Sequence, residues 1–136
     1  MYTVRGVFNK KEKDHYHFIL PEVYNDINEP SSTYNTINNY HNAIESKQAE
    51  KINELNINVS SVSSYKPFYR DPSLKSKSAF TGFRCKSTRD LQFLVGLEYF
   101  MKVNFIEYKF LDKDDPTKYV MGWYIQIISI KEDTKL

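Results

Sequence analysis

The chain has 136 residues, 26% charged and 40% hydrophobic, with a net charge of +2. That suits one globular domain over 1–136 with a core of its own. A single cysteine, Cys85, excludes an intramolecular disulfide framework and a cysteine-based zinc site, and the lack of a leader or membrane-length apolar run predicts an intracellular protein (cytoplasmic or nuclear) with no membrane partner.

Residues 2–9, Tyr-Thr-Val-Arg-Gly-Val-Phe-Asn, alternate like a strand, and Gly6 in the middle predicts a bulge or sharp bend. Lys10 to Asp14 is fully polar and reads as a turn. His15 to Tyr24 then resumes a strand, so that the two form a hairpin. After a loop containing Pro30, Ser31 or Ser32 offers a helix N-cap. From Thr33 to Leu55 the apolar residues Tyr34, Ile37, Tyr40, Ile44, Ile52 and Leu55 recur at helical intervals. This predicts one amphipathic helix packed on the protein's own sheet. Asn56 to Ser64 fits a short strand or an unwound linker.

Tyr65 to Arg89 concentrates the binding chemistry. Lys66, Arg70, Lys75, Lys77, Arg84, Lys86 and Arg89 face a single acid, Asp71, a local charge of +6 in a chain of +2. Tyr65, Phe68, Tyr69, Phe80 and Phe83 lie between those cations. Phosphates need positive charge and unstacked bases need a flat partner, so the pattern suits a single nucleic-acid strand. Pro67 and Pro72 argue against a regular element through Asp71. Ser78 to Lys86 alternates as a strand, with Phe80, Gly82, Arg84 and Lys86 on one face and Ala79, Thr81, Phe83 and Cys85 on the other. One of Phe80 and Phe83 must then point inward. Phe83 is the one expected outside, and both stay candidates. The loop half, centred on Lys66, Phe68, Tyr69 and Arg70, is the sharper of the two.

Thr88 is placed to cap a short helical turn through Leu94. Leu97 to Leu111 and Lys118 to Lys131 are β-rich runs joined by the turn Asp112 to Thr117, a long hairpin in which Gly122 predicts a bulge.

Other groups carry weaker chemistry. His15 and His17 share one side of a strand, and with the Tyr99-x-x-Lys102 spacing they resemble the His-hydrophobic-His and tyrosine motifs of nucleases that nick single-stranded DNA. Asp112, Asp114 and Asp115 cluster in a turn that lacks the glycine and distal glutamate of a calcium loop. Cys85 has no obvious base beside it. No metal or other cofactor is implied, and a non-enzymatic protein is the expectation.

The order strand, strand, helix, strand, short helix, strand, strand, with Leu94-Val95-Gly96 feeding the hairpin KVNFIEYKF…GWYIQIISI, resembles the OB-fold of small single-stranded-DNA-binding proteins of viruses and linear plasmids. The resemblance covers roughly residues 1–24 and 78–131. It implies a mainly β (α+β) chain: a five-stranded OB-like barrel with one inserted amphipathic helix and a long C-terminal hairpin. It implies binding of single-stranded nucleic acid, as in DNA replication, on the face of the central strands and the flanking loops. Tyr65, Phe68, Tyr69, Phe80, Phe83 and either Tyr108 or Trp123 would stack bases, while Lys66, Arg70, Lys75, Lys77, Arg84, Lys86 and Arg89 would hold phosphates. The alternative is a viral or plasmid accessory factor that docks on a protein through its acidic remainder and the helix, and self-association stays open beside a protein partner.

Overall fold

The computed structural model describes residues 1–27, 31–55, 59–62, 68–71, 73–74 and 80–131. Strands β1 (Tyr2–Glu12) and β2 (His15–Ile19) form the first hairpin. A four-residue helix α1 (Pro21–Tyr24) and a long helix α2 (Ser32–Leu55) follow. Then come β3 (Val59–Val62), the two-residue β4 (Phe68–Tyr69), β5 (Gly82–Lys86), and the long strands β6 (Glu98–Leu111) and β7 (Tyr119–Ile130).

Five of these strands close into a barrel. The hydrogen-bonded order β7-β6-β1-β2-β5 returns on itself through a parallel bridge from β5 to β7 at Lys86 and Gln126. The connectivity is that of an OB-like barrel with α2 inserted between its second and third strands, as the sequence predicts. β3 pairs in parallel with the start of β7, and β4 extends the free edge of β5.

Alternation fills the interior. Val4 and Phe8 of β1, Tyr16 and Phe18 of β2, Phe83 and Cys85 of β5, Met101 and Val103 of β6, and Trp123, Ile125 and Ile127 of β7 form one buried cluster. Two glycines let these strands approach. A Cβ on Gly6 would sit 2.8 Å from the Cβ of Phe18 and 2.9 Å from the Phe83 ring, and one on Gly82 would collide with the Phe18 carbonyl oxygen. Both positions therefore need glycine.

α2 lies against one end of the barrel. Ile37 and Ile44 are buried, and Tyr40 packs on Phe105 at 4.2 Å and on Trp123 at 5.1 Å between ring centres. Thr33 joins helix to strand: its hydroxyl accepts the Arg5 N–H at 2.9 Å and donates to the Arg5 carbonyl at 3.1 Å. At the other end, Phe93 is an aromatic plug, its ring centre 4.8–5.4 Å from those of Phe8, Tyr16, Phe18 and Tyr99.

Several local expectations are corrected. The segment 21–24 is a helical turn rather than a continuation of the second strand, because Pro21 at its first position pre-sets helical φ and removes a strand donor. Residues 88–94 form no helix. The Leu91 and Leu94 N–H groups donate to the hydroxyls of Tyr16 and Tyr99, both at 2.9 Å, and Phe93 turns into the barrel. The bulges sit elsewhere: the β1–β2 register shifts at Asn9, not Gly6, and the β6–β7 register shifts at Ile128, not Gly122. Phe68 and Tyr69 do pair, briefly, despite the neighbouring prolines.

Candidate nucleic-acid interface

β5 presents its even positions to the outside. Phe83 is 0% exposed and stacks on Phe18 at 5.6 Å, so the expectation that it is the outward ring is overturned. The reason is alternation, with Phe83 and Cys85 sharing the inward parity and Arg84 and Lys86 the outward one. Phe68 is buried as well, between Tyr34 at 5.1 Å and Phe80 at 4.9 Å, a three-ring stack that ties α2 to the barrel rather than awaiting a base. Trp123 is likewise 0% exposed. Tyr65, Lys66, Lys75 and Lys77 lie outside the described residues.

The outward residues of β5 meet those of its neighbours. His17 is paired across from Arg84 on one side and Lys10 on the other, so all three share the outer face. Tyr69, from β4, puts its ring 4.9 Å from the His17 ring and 5.7 Å from the Arg84 guanidinium carbon. The position of Tyr69 is fixed by Thr81, whose N–H and hydroxyl both donate to the Tyr69 carbonyl, at 2.9 and 3.1 Å. The Thr81 hydroxyl also accepts the Asp71 N–H at 2.7 Å. The Asp71 carboxylate is in turn engaged by the N–H and hydroxyl of Ser73 at 3.0 and 2.7 Å.

Lys10, Glu12, His17, Tyr69, Arg70, Asp71 and Arg84 enclose an open cavity of about 300 Å³. Burial, reinforced by Arg84 and Lys10, lowers the His17 pKa to about 4, which leaves a neutral imidazole at neutral pH. Its Nδ1 is buried with no hydrogen-bond partner among the described residues. Lys10, 3.1 Å away, holds the Glu12 carboxyl below its ordinary range, so it stays ionised. Burial raises the Tyr69 phenol.

From this cavity an aromatic line runs across the barrel. Lys86 Nζ lies 5.1 Å from the Tyr124 ring centre. Tyr124 is 6.3 Å from Tyr108, and Tyr108 stacks on Phe110 at 5.7 Å with 19° between planes. Phe110 is 48% exposed near the tip of the β6–β7 hairpin. Lys86 is also 3.9 Å from Asp14, which pairs with His15 Nδ1 at 3.0 Å. Arg89 is exposed, but its guanidinium donates to the Ile128 carbonyl at 3.1 Å, where β7 bulges. Among the predicted residues, the fold thus brings together Tyr69, Arg70, Arg84 and Lys86, with Tyr108 further along the line. Lys10, Glu12, Tyr124 and Phe110 also belong to this face and are not among the residues expected from the sequence. Outward parity on the hairpin was the signal for the last two.

The groups with possible reaction chemistry are placed differently. His15 and His17 face outward on β2, whereas Tyr99 packs against Phe93 and accepts the Leu94 N–H through its hydroxyl. Among the described residues, no group of three or more His, Cys, Asp or Glu side chains is placed to hold a metal ion. Cys85 is fully buried, and burial pushes its thiol well above the ordinary range. In the hairpin turn, Asp112 and Asp115 accept the N–H groups of Asp114 and Thr117 at 2.8 and 3.1 Å. No helix among the described residues is long and apolar enough to cross a membrane.

Comparison with known proteins found no matching family model, no matching curated protein and no matching solved structure.

Proposed function

We propose that the protein binds a single nucleic-acid strand, DNA before RNA, on the outer face of β2 and β5, without catalysing a reaction on it. The observation that carries the reading is the pair Arg84 and Lys86, two residues apart on one strand face and each beside a tyrosine ring, Tyr69 at 5.7 Å and Tyr124 at 5.1 Å. Cations hold phosphates, and the tyrosine faces offer stacking surfaces to bases of any sequence. β2 and β5 are the second and third strands of the barrel, the face that OB-type barrels use for oligonucleotides. Such a ligand fits an intracellular role wherever duplexes are opened, as in replication.

The test is a titration of fluorescein-labelled oligo(dT) at about 50 and 200 mM salt, read by polarisation. Trp123 is buried, so tryptophan quenching is not the readout of choice. Affinity is expected to fall steeply with salt. Replacing both Arg84 and Lys86 by alanine should flatten the log–log salt slope by about 1.4, the share of two phosphate contacts on a single strand. Failure of the parent protein to bind at the lower salt would overturn the reading.

A further inference from the structure

Resting on that reading, we propose that the cavity between Tyr69 and Arg84 takes one unpaired base of the bound strand and selects cytosine or adenine over thymine through the Glu12 carboxylate. The volume, about 300 Å³, is at the small end of ligand sites, enough for one nucleotide but not for a run of them. Tyr69 provides the flat wall and the Arg84 guanidinium lies toward the same ring. Three cations, Lys10, Arg70 and Arg84, line the cavity and favour the phosphate that accompanies the base.

Of the two carboxylates that line the cavity, one sets the base preference. Asp71 is already engaged by Ser73. Glu12, held ionised by Lys10 on one side, is an acceptor only. His17 is more than nine-tenths buried in the wall, with a ring nitrogen that lacks a partner among the described residues. The Glu12 carboxylate, an acceptor, complements the exocyclic amino group of an edge in which that group lies next to a ring-nitrogen acceptor. Cytosine and adenine both present that edge. Thymine places O4 where the amino group would be and an N–H where the acceptor would be, so Glu12 would face another acceptor.

The experiment compares labelled homopolymers of deoxycytidine, deoxyadenosine and thymidine, about twelve nucleotides long, against the parent protein and Glu12→Gln at one salt concentration. A cytidine homopolymer of RNA is run alongside to separate base from sugar. Glu12 is exposed enough for the variant to fold, with 60% of its side chain open to solvent. The parent is expected to bind the cytosine and adenine strands about tenfold more tightly than the thymine strand. Glutamine, with both a donor and an acceptor, should bring the ratios to within about twofold. Removing a negative charge can raise all affinities together, so the ratio between strands is the quantity that decides. Equal parental affinities, or a preference that survives Glu12→Gln, would overturn base selection while leaving strand binding intact. Absence of binding to every strand would instead overturn strand binding itself.

Discussion

At the scale of single residues, His17 joins the site to the stability of the fold. It is 8% exposed, and burial is the largest cause of its pKa falling from 6.5 to about 4, with Arg84 and Lys10 adding to the fall and Glu12 opposing it. The unfolded chain therefore takes up a proton near pH 6.5, while the folded chain resists until near pH 4. Between those values the unfolded state binds more protons, so stability declines as pH falls and is level above the window. The shift corresponds to at most about 3 kcal/mol. Urea midpoints at pH 7 and at about 4.5 should separate further for the parent than for His17→Gln, which cannot take up that proton. His15, also lowered by burial, contributes in the same direction in both proteins, so the difference between them isolates His17. Parallel pH profiles would show that His17 titrates alike in both states.

Among elements, the junction of α2 with β1 is where the barrel's pairing changes hands. β1 pairs with β6 from Tyr2 to Val7 and with β2 from Val7 onward, so Arg5 has no strand partner on the β2 side. Thr33 occupies that edge, and its buried hydroxyl satisfies both backbone groups of Arg5. Thr33→Val keeps the shape but leaves an N–H and a carbonyl unpaired, and should cost about 1–3 kcal/mol. Thr33→Ser keeps the hydroxyl and should retain most of the stability. Thermal melts of the two variants check this, and equal midpoints would show that the hydroxyl does not matter. The helix itself was legible, because its apolar residues recur at a helical period that needs no knowledge of the rest of the chain. So was the long hairpin, whose runs are rich in β-formers on both sides of a polar turn. The bulges were not, because glycine in a strand has more than one cause. Gly6 makes room for Phe18 and Phe83, and the Gly122 carbonyl accepts from Gln48 at 3.4 Å. The absent helix at 88–94 was equally hidden, since the Leu91 N–H is taken up by the hydroxyl of Tyr16, far away in sequence, and the Leu94 N–H by that of Tyr99. Within the candidate site, charge and aromatic content pointed to Arg84, Lys86 and Tyr69. The cavity needs β1, β2, β4 and β5 together, and that convergence is not written in any one stretch.

For the whole molecule, closure of the barrel decides how much of its surface one strand could follow. The bridge at Lys86 and Gln126 sets β5 beside β7, and so joins the Tyr69–Arg84 cavity to the line Tyr124, Tyr108, Phe110 on the hairpin. Crossing from β2 over β5 and β7 to β6 covers three strand spacings, about 14 Å, and the run from Tyr124 toward the hairpin tip adds a similar length. A path of that extent lies within the range of roughly 4–16 nucleotides covered by one OB-type barrel. Affinity should therefore rise with oligonucleotide length and level off once the strand reaches the hairpin. Tyr108→Ala provides the sharper check. An oligonucleotide of about two nucleotides, seated at the cavity, should bind this variant and the parent alike, whereas one of about twelve should lose about 1–3 kcal/mol with the stacking surface. Tyr69→Leu, which keeps an apolar side chain against His17, should weaken both lengths. If Tyr108→Ala leaves the longer strand's affinity unchanged while Tyr69→Leu weakens both, the strand leaves the barrel by another route, and the exposed rings of the hairpin take no part in holding it.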